Sequence, residues 1–253
     1  MIYDHLLSIR AQHGAGFIVL IDPDKLPPEH FGRFVDACEP AGADAFFVGG
    51  SLMHAVELDQ YIERLKQIAS VPVIGFPGSL SQISPHLDAL LYLSVISGRN
   101  PDYLFGRHVH AAPVIRRLGL EPIPTGYMLI ESGRTTTAQY MSGSAPIPHH
   151  KPEIAAATGL AAEMMGMKLL YTDAGSGAEQ SVSDEMVYAI TKTCTVPLVV
   201  GGGLRTPEAV ARKVHAGAGF IVVGNAIEQR ADAGYIAELA AAAHSGSSVP
   251  VSK

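Results

Sequence analysis

Two carboxylates in this chain each close an apolar run, and each is followed at once by residues that turn the backbone. Leu169, Leu170, Tyr171 and Thr172 lead into Asp173, and Ala174, Gly175, Ser176 and Gly177 follow. The run GFIVLI (16–21) leads into Asp22, followed by Pro23, Asp24 and Lys25. A carboxylate at the end of an apolar strand needs a partner, a metal or a proton to move, because burying a bare charge is costly. Asp173 is the candidate general base. A ligand with both a phosphate and a hydroxyl could set that hydroxyl against it, and proton removal requires such contact. An Asp that only forms the turn or caps a helix is the alternative. Asp22 is a candidate Mg²⁺ ligand, with Ser51 of VGGS (48–51) beside it. Mg²⁺ typically takes one or two carboxylates and completes its shell with phosphate oxygens and water. A loop-capping Asp22 is the competing reading, and Asp24 and Lys25 read equally well as solvated charges.

Glycine placement points to an anion. Gly175 and Gly177, Gly201 to Gly203, and Gly224 before Asn225 each follow a β-rich run. Glycine lets the backbone approach a ligand closely, and backbone N–H groups freed near such turns bind phosphate. One pair would be a weak signal; three such loops in series read as a phosphate cradle rather than as simple turns.

The elements that must position these residues alternate. Candidate strands are 16–22, 44–50, 71–76, 89–95, 123–131, 168–174, 197–203 and 219–225. Several are apolar on both faces, as parallel strands covered by helices are. Amphipathic helices are expected at 54–69 and 206–217. The second begins with Thr206 as N-cap, Pro207 at its first position and Glu208 in its first turn, and stops at Gly217. Eight β/α units in 253 residues have the size and rhythm of a (β/α)8 barrel, read here as one domain over 1–253. A doubly wound open sheet is the alternative. In a barrel the strand C-termini line the active site, which gathers the candidates above at one mouth. One unit is irregular: only PGSLSQISPH separates Phe76 from Leu87, too little for a covering helix and two loops. Either a poorly formed short helix or an open apolar flank follows. The connection 132–151 is also long, and loops of that length in a compact domain are usually functional or mobile.

Composition narrows the function classes. The formal net charge of -6 disfavours nucleic acid, which rewards a clustered basic surface. Hydrophobic residues at 47% favour a folded core over disorder. No apolar run is long enough to span a bilayer. The N-terminus MIYDHLLSIRAQHG does not read as a signal peptide. Cys38 and Cys194 read as reduced packing residues, which suits a cytoplasmic location. The adjacent His149 and His150 do not suit joint metal chelation. Met164, Met165 and Met167 read first as core packing. No Ser-His-Asp elbow, dinucleotide fingerprint or Walker loop is present.

The quoted residues resemble the geranylgeranylglyceryl phosphate synthase family, which includes heptaprenylglyceryl phosphate synthases. The matching pieces are LIDPDK (20–25), VGGS (48–51), SGRNPDYLFGRH (97–108), PTGYMLIESG (124–133), APIPHHKPEIA (145–155), YTDAGSGA (171–178), VVGGGLRTPE (199–208) and IVVGN (221–225). They span nearly the whole chain in order. DPDK with the APIP and KPEIA pieces resembles the branch shared by archaea and some bacteria. The resemblance implies a modified barrel without the usual helix after strand three. It implies transfer of a long prenyl group, geranylgeranyl in the family's name, from its diphosphate to the 3-hydroxyl of sn-glycerol 1-phosphate. Asp22 and Ser51 would hold Mg²⁺. Residues Tyr171, Thr172, Asp173, Ala174, Gly175, Ser176 and Gly177, with Gly202, Gly203, Gly224 and Asn225, would bind glycerol phosphate. Tyr171 and Asp173 would be the catalytic pair. A homo-oligomer, dimer or hexamer, is also implied. The family usually has Glu where this chain has Asp173, one methylene shorter.

Two other readings stand beside this one. A sugar-phosphate isomerase or aldolase would explain the glycine loops but not DPDK or the short third unit. An aldolase would want a lysine at a strand end, and only Lys25 and Lys168 lie near one, Lys168 at the wrong end. A non-catalytic isoprenoid-binding protein would keep the same fold.

Overall fold

The structure is a computed structural model and describes residues 1–54, 57–230 and 232–246. The eight expected strands all form: β1 (Gly16–Ile21), β2 (Ala45–Val48), β3 (Val73–Gly75), β4 (Ala89–Val95), β5 (Glu121–Leu129), β6 (Leu169–Asp173), β7 (Leu198–Gly201) and β8 (Phe220–Val223). They pair in parallel in sequence order, and β8 closes onto β1 through Gly16–Phe220 and Val19–Val223, making a closed barrel rather than an open sheet. The helices are α1 (Ile2–His13), α2 (Phe31–Cys38), α3 (Leu58–Ile68), α4 (Arg107–Leu118), α5 (Thr137–Ser142), α6 (Pro152–Met164), α7 (Asp184–Thr193), α8 (Pro207–His215), α9 (Asn225–Arg230) and α10 (Ala233–Ala243). Of the helix expected over 54–69, residues 55–56 lie outside the described residues, as do 231 and 247–253 of the domain expected over 1–253.

Strand alternation divides the apolar side chains into two cores. Side chains such as Phe47, Leu91, Leu169, Tyr171 and Phe220 fill the barrel interior. Phe46, Leu90, Leu170, Val200 and Ile221 point outward and meet the helices. The N-terminal end of the barrel is closed by α1. Its Leu6 and Ile9 are buried against the interior cluster, and Glu121 accepts from the backbone N–H groups of Ile2 and Tyr3. With that end plugged, the other mouth is the one left for chemistry. The α8 start follows the sequence signal: the Thr206 side chain accepts from Ala209 N–H and Pro207 occupies the first turn.

The third unit lacks its helix. After β3 the chain makes only one turn of 3₁₀-helix, Leu80–Gln82, before β4. Gln82, 4% exposed, ties this replacement to its neighbour. Its Oε1 accepts from Gly78 N–H at 3.0 Å, and its Nε2 donates to Gly50 O at 2.8 Å. The long connection 132–151 is more ordered than its length suggests. It contains α5, capped by the Thr136 hydroxyl, and Ile147 pairs with Ile130 beside the barrel. Cys38 and Cys194 are buried and unpaired, and burial pushes their thiols up to about 12 and about 11. Among the described residues no helix is long and apolar enough to cross a membrane.

Candidate active site

A cavity of about 550 Å³ opens at the C-terminal mouth of the barrel. Its wall includes Asp22, Ser51, Tyr171, Asp173, Gly175, Ser176, Gly177, Gly202, Gly203, Gly224 and Asn225, so one space gathers most of the candidates from five strand ends. Thr172 and Ala174 do not border it. They alternate with Tyr171 and Asp173 along the strand; Thr172 is fully buried with its hydroxyl on Val199 O, and Ala174 packs in the outer core.

Asp173 is held by two donors. The Tyr127 hydroxyl donates to Oδ2 at 2.5 Å, and Gly175 N–H donates to Oδ1 at 2.7 Å. Burial raises the carboxyl above the ordinary aspartate range, and these two hydrogen bonds oppose the rise. The result is an ionisable group inside the cavity wall with unused lone pairs for one more donor. Tyr127 and Tyr171 are pushed well above the ordinary phenol range, by burial first and by the Asp173 charge second. Both therefore stay protonated, and Tyr127 spends its proton on Asp173. Tyr171 is fixed by stacking on Phe76, with ring centroids 5.2 Å apart and 15° between planes.

The loops after β6 and β7 depend on glycine. Gly202 has φ +82°, and a Cβ there would fall 2.6 Å from Gly175 N and 2.7 Å from Asp173 Oδ1. Only a glycine lets the two loops close against each other at the carboxylate. A Cβ on Gly177 would lie 2.5 Å from the Arg134 guanidinium, which brings a cation from the connection before α5 against the cradle.

At the other side, Asp22 is partnered rather than bare. Its Oδ2 is 2.9 Å from Lys25 Nζ, and Oδ1 accepts from Asp24 N–H. Glu228 from α9 accepts from Asp22 N–H at 3.0 Å and faces Lys25 at 3.4 Å. Burial raises the Glu228 carboxyl, and Lys25 pulls it back. Burial also works to lower the Lys25 ammonium, but the Asp22 and Glu228 carboxylates outweigh it and hold it above the ordinary lysine range. Among the described residues no cluster of three or more His, Cys, Asp or Glu side chains could hold a metal unaided. One carboxylate and the Ser51 hydroxyl at the cavity wall are a hard-oxygen donor set. It suits Mg²⁺ only when phosphate oxygens complete the shell.

A second, apolar groove of about 120 Å³ runs where the missing helix would pack. The segment after β3, with Leu80 and Ile83, forms one wall, and Tyr103, His108 and Ala111 form the other. The groove and the cavity share Gly50, Ser51, Phe76 and Ala138 in their walls, so they adjoin there.

The profile of the PcrB family matches residues 8–242. The chain belongs to the PcrB family. It is 44% identical to the geranylgeranylglyceryl phosphate synthase of Chitinophaga pinensis over 98% of both chains. It is 45% identical to that of Thermococcus gammatolerans over 83% of both. Among solved structures, it is similar to the (S)-3-O-geranylgeranylglyceryl phosphate synthase of Thermoplasma acidophilum in complex with its substrate sn-glycerol 1-phosphate. The TM-score is 0.88 at 31% identity, covering 95% of this chain and 97% of that one.

Three residues of this PcrB-family site escaped sequence reading. Tyr127 lies 46 positions from Asp173, and nothing local in PTGYML announces the contact. Glu228 and Arg134 reach the cavity region from elements with no motif of their own. Lys25 was visible, and its i, i+3 spacing to Asp22 was the available signal. His149 Nε2 lies 3.2 Å from Ser181 O.

Proposed function

We propose that this chain transfers a long prenyl group, with geranylgeranyl diphosphate as the natural donor, to the 3-hydroxyl of sn-glycerol 1-phosphate. The product is a prenyl ether and the leaving group is diphosphate. The observation that carries this reading is a glycine-rich polar cavity adjoining an apolar groove, with Gly50, Ser51, Phe76 and Ala138 in both walls. A prenyl diphosphate has that shape, with a charged head and a long apolar tail. Each methylene the groove takes from water contributes about 0.8 kcal/mol.

The glycine loops after β6, β7 and β8 hold the acceptor phosphate, and Arg134 lies beside them. Asp173 accepts the proton of the 3-hydroxyl as its oxygen forms the bond to the prenyl C1. The C1–O bond to diphosphate breaks, and its electron pair leaves with the diphosphate. The Tyr127 hydroxyl and Gly175 N–H hold the Asp173 carboxylate toward that oxygen. Tyr171, protonated, serves as a donor to the bound glycerol phosphate. Asp22 and Ser51 would hold Mg²⁺, which supplies electrostatic stabilisation to the leaving diphosphate. A cytoplasmic homo-oligomer, dimer or hexamer, is part of the proposal; Met164 and Met165, exposed rather than packed in the core as expected, offer apolar surface for it.

An aldolase reading finds no free lysine at the mouth. Lys168 sits at the α1 end, where Tyr3 bonds its carbonyl, and the Lys25 ammonium is spent on Asp22 and Asn225. The test is incubation with radiolabelled sn-glycerol 1-phosphate, Mg²⁺ and prenyl diphosphates of several lengths. An organic-extractable ether product is expected, most of it from the C20 donor. No product at any chain length would sink the proposal.

A further inference from the structure

Lys25 sits between the two halves of the site. Its ammonium has three protein acceptors around it: Asp22 Oδ2 at 2.9 Å, Asn225 Oδ1 at 2.9 Å and Glu228 Oε2 at 3.4 Å. Two of its three N–H groups are taken by the closer pair, Asp22 and Asn225. Through the second of these it acts on a side chain of the cradle. Asn225 is the acceptor that matters. With Oδ1 taken by Lys25, its Nδ2 donates to Ser176 Oγ at 2.8 Å. A flipped amide would press its NH₂ against the ammonium, so the lysine decides which way the amide faces. Glu228 supports Lys25 from behind. It is 9% exposed at its side chain and its Oε2 makes no hydrogen bond, so the ammonium is what meets its charge. Its Oε1 also pins the Asp22 backbone, which locks the loop after β1 to α9.

We propose that Lys25 is a positioning residue for the acceptor phosphate: by holding Asn225 Oδ1 it orients the Asn225 amide and the Ser176 hydroxyl in the cradle. The loop after β1, which carries the metal candidate, thereby sets affinity at the opposite subsite. This rests on the reading of the cavity as a glycerol phosphate site.

The test is calorimetric titration of sn-glycerol 1-phosphate in EDTA, with no prenyl diphosphate, so that neither metal nor turnover contributes. Lys25→Met is expected to raise Kd about tenfold, and Lys25→Arg, which keeps a cationic donor, to recover part of the loss. Asn225→Ala is expected to weaken binding by itself. Adding Lys25→Met to Asn225→Ala is expected to cost nothing more, because the lysine acts through the amide. Thermal melts of each variant check that the barrel is intact. Unchanged binding by Lys25→Met, or additive losses in the double variant, would overturn the inference alone. A wild-type protein that binds no glycerol phosphate would overturn the reading of the cavity and the inference with it.

Discussion

The mouth of this barrel has two sides built by opposite means. The loops after β6, β7 and β8 are rich in glycine and hold their shape through backbone contacts so close that one Cβ on Gly202 would collide with three neighbours. The third unit is made by omission. A covering helix is replaced by one 3₁₀ turn, pinned by the buried Gln82, and apolar side chains are left facing a groove. The first side offers donors at fixed positions, which suits a small, charged, fixed-shape ligand. The second offers apolar area with little directionality, which suits a long hydrocarbon. The division teaches where tolerance lies. The cradle should fail on single-atom additions, and the groove should change its preference gradually.

Substitutions can break or sharpen that contrast. Asp22→Asn should cost the most, at least about 10³-fold in Mg²⁺-dependent kcat, while glycerol phosphate still binds. Equal activity would show that Asp22 only organises its loop. Asp173→Asn should lower kcat by about 10² to 10⁴, with Asp173→Glu restoring part of it. Full rate in the Asn variant would pass the proton to another group. Gly202→Ala should weaken glycerol phosphate binding by about one to two orders of magnitude and lower Tm, since φ +82° and the close approach to Gly175 both penalise a side chain. Groove changes should be milder and length-dependent. Ala111→Leu on α4 should raise KM for a C20 diphosphate about tenfold, a cost of about 1–3 kcal/mol for overpacking, and leave a C10 diphosphate nearly unaffected. An equal loss for both lengths would argue against the groove as the tail site.

The smallest effect concerns pH. Burial raises the folded-state pKa of Asp173 above its unfolded value, so its contribution to stability is present at low pH and lost as pH rises through the folded value. Asp173→Asn should therefore melt higher than wild type at about pH 8, and the gap should close toward about pH 4. The same raised value should place the acid limb of kcat above the ordinary aspartate range. A gap that instead widens in acid would mean that the Tyr127 and Gly175 hydrogen bonds outweigh burial.

Much of this was legible in the residues. Six of the eight strands are short apolar runs closed by Gly or Asp, so the barrel and its mouth followed from periodicity. The short PGSLSQISPH linker betrayed the missing helix by length. What the sequence hid were contacts with no local signature. Tyr127 reaches Asp173 across neighbouring strands, and Glu228 reaches Asp22 across the β1–β8 closure, a separation of 206 residues. Side-chain direction was the other loss: Thr172 and Ala174 lie within the right stretch, but strand alternation turns them outward. The short α5 inside the long connection was missed, although Thr136 is the kind of residue that caps a helix.

The central claim is that one prenyl diphosphate spans both sides while the glycerol phosphate sits in the cradle. A crystal structure of the protein with Mg²⁺, sn-glycerol 1-phosphate and a non-hydrolysable geranylgeranyl diphosphate analogue tests it most directly. The account predicts the tail between the segment after β3 and α4, the diphosphate beside Asp22 and Ser51, and the 3-hydroxyl within hydrogen-bond reach of Asp173. A tail lying outside that groove, or a 3-hydroxyl turned away from Asp173, would contradict it.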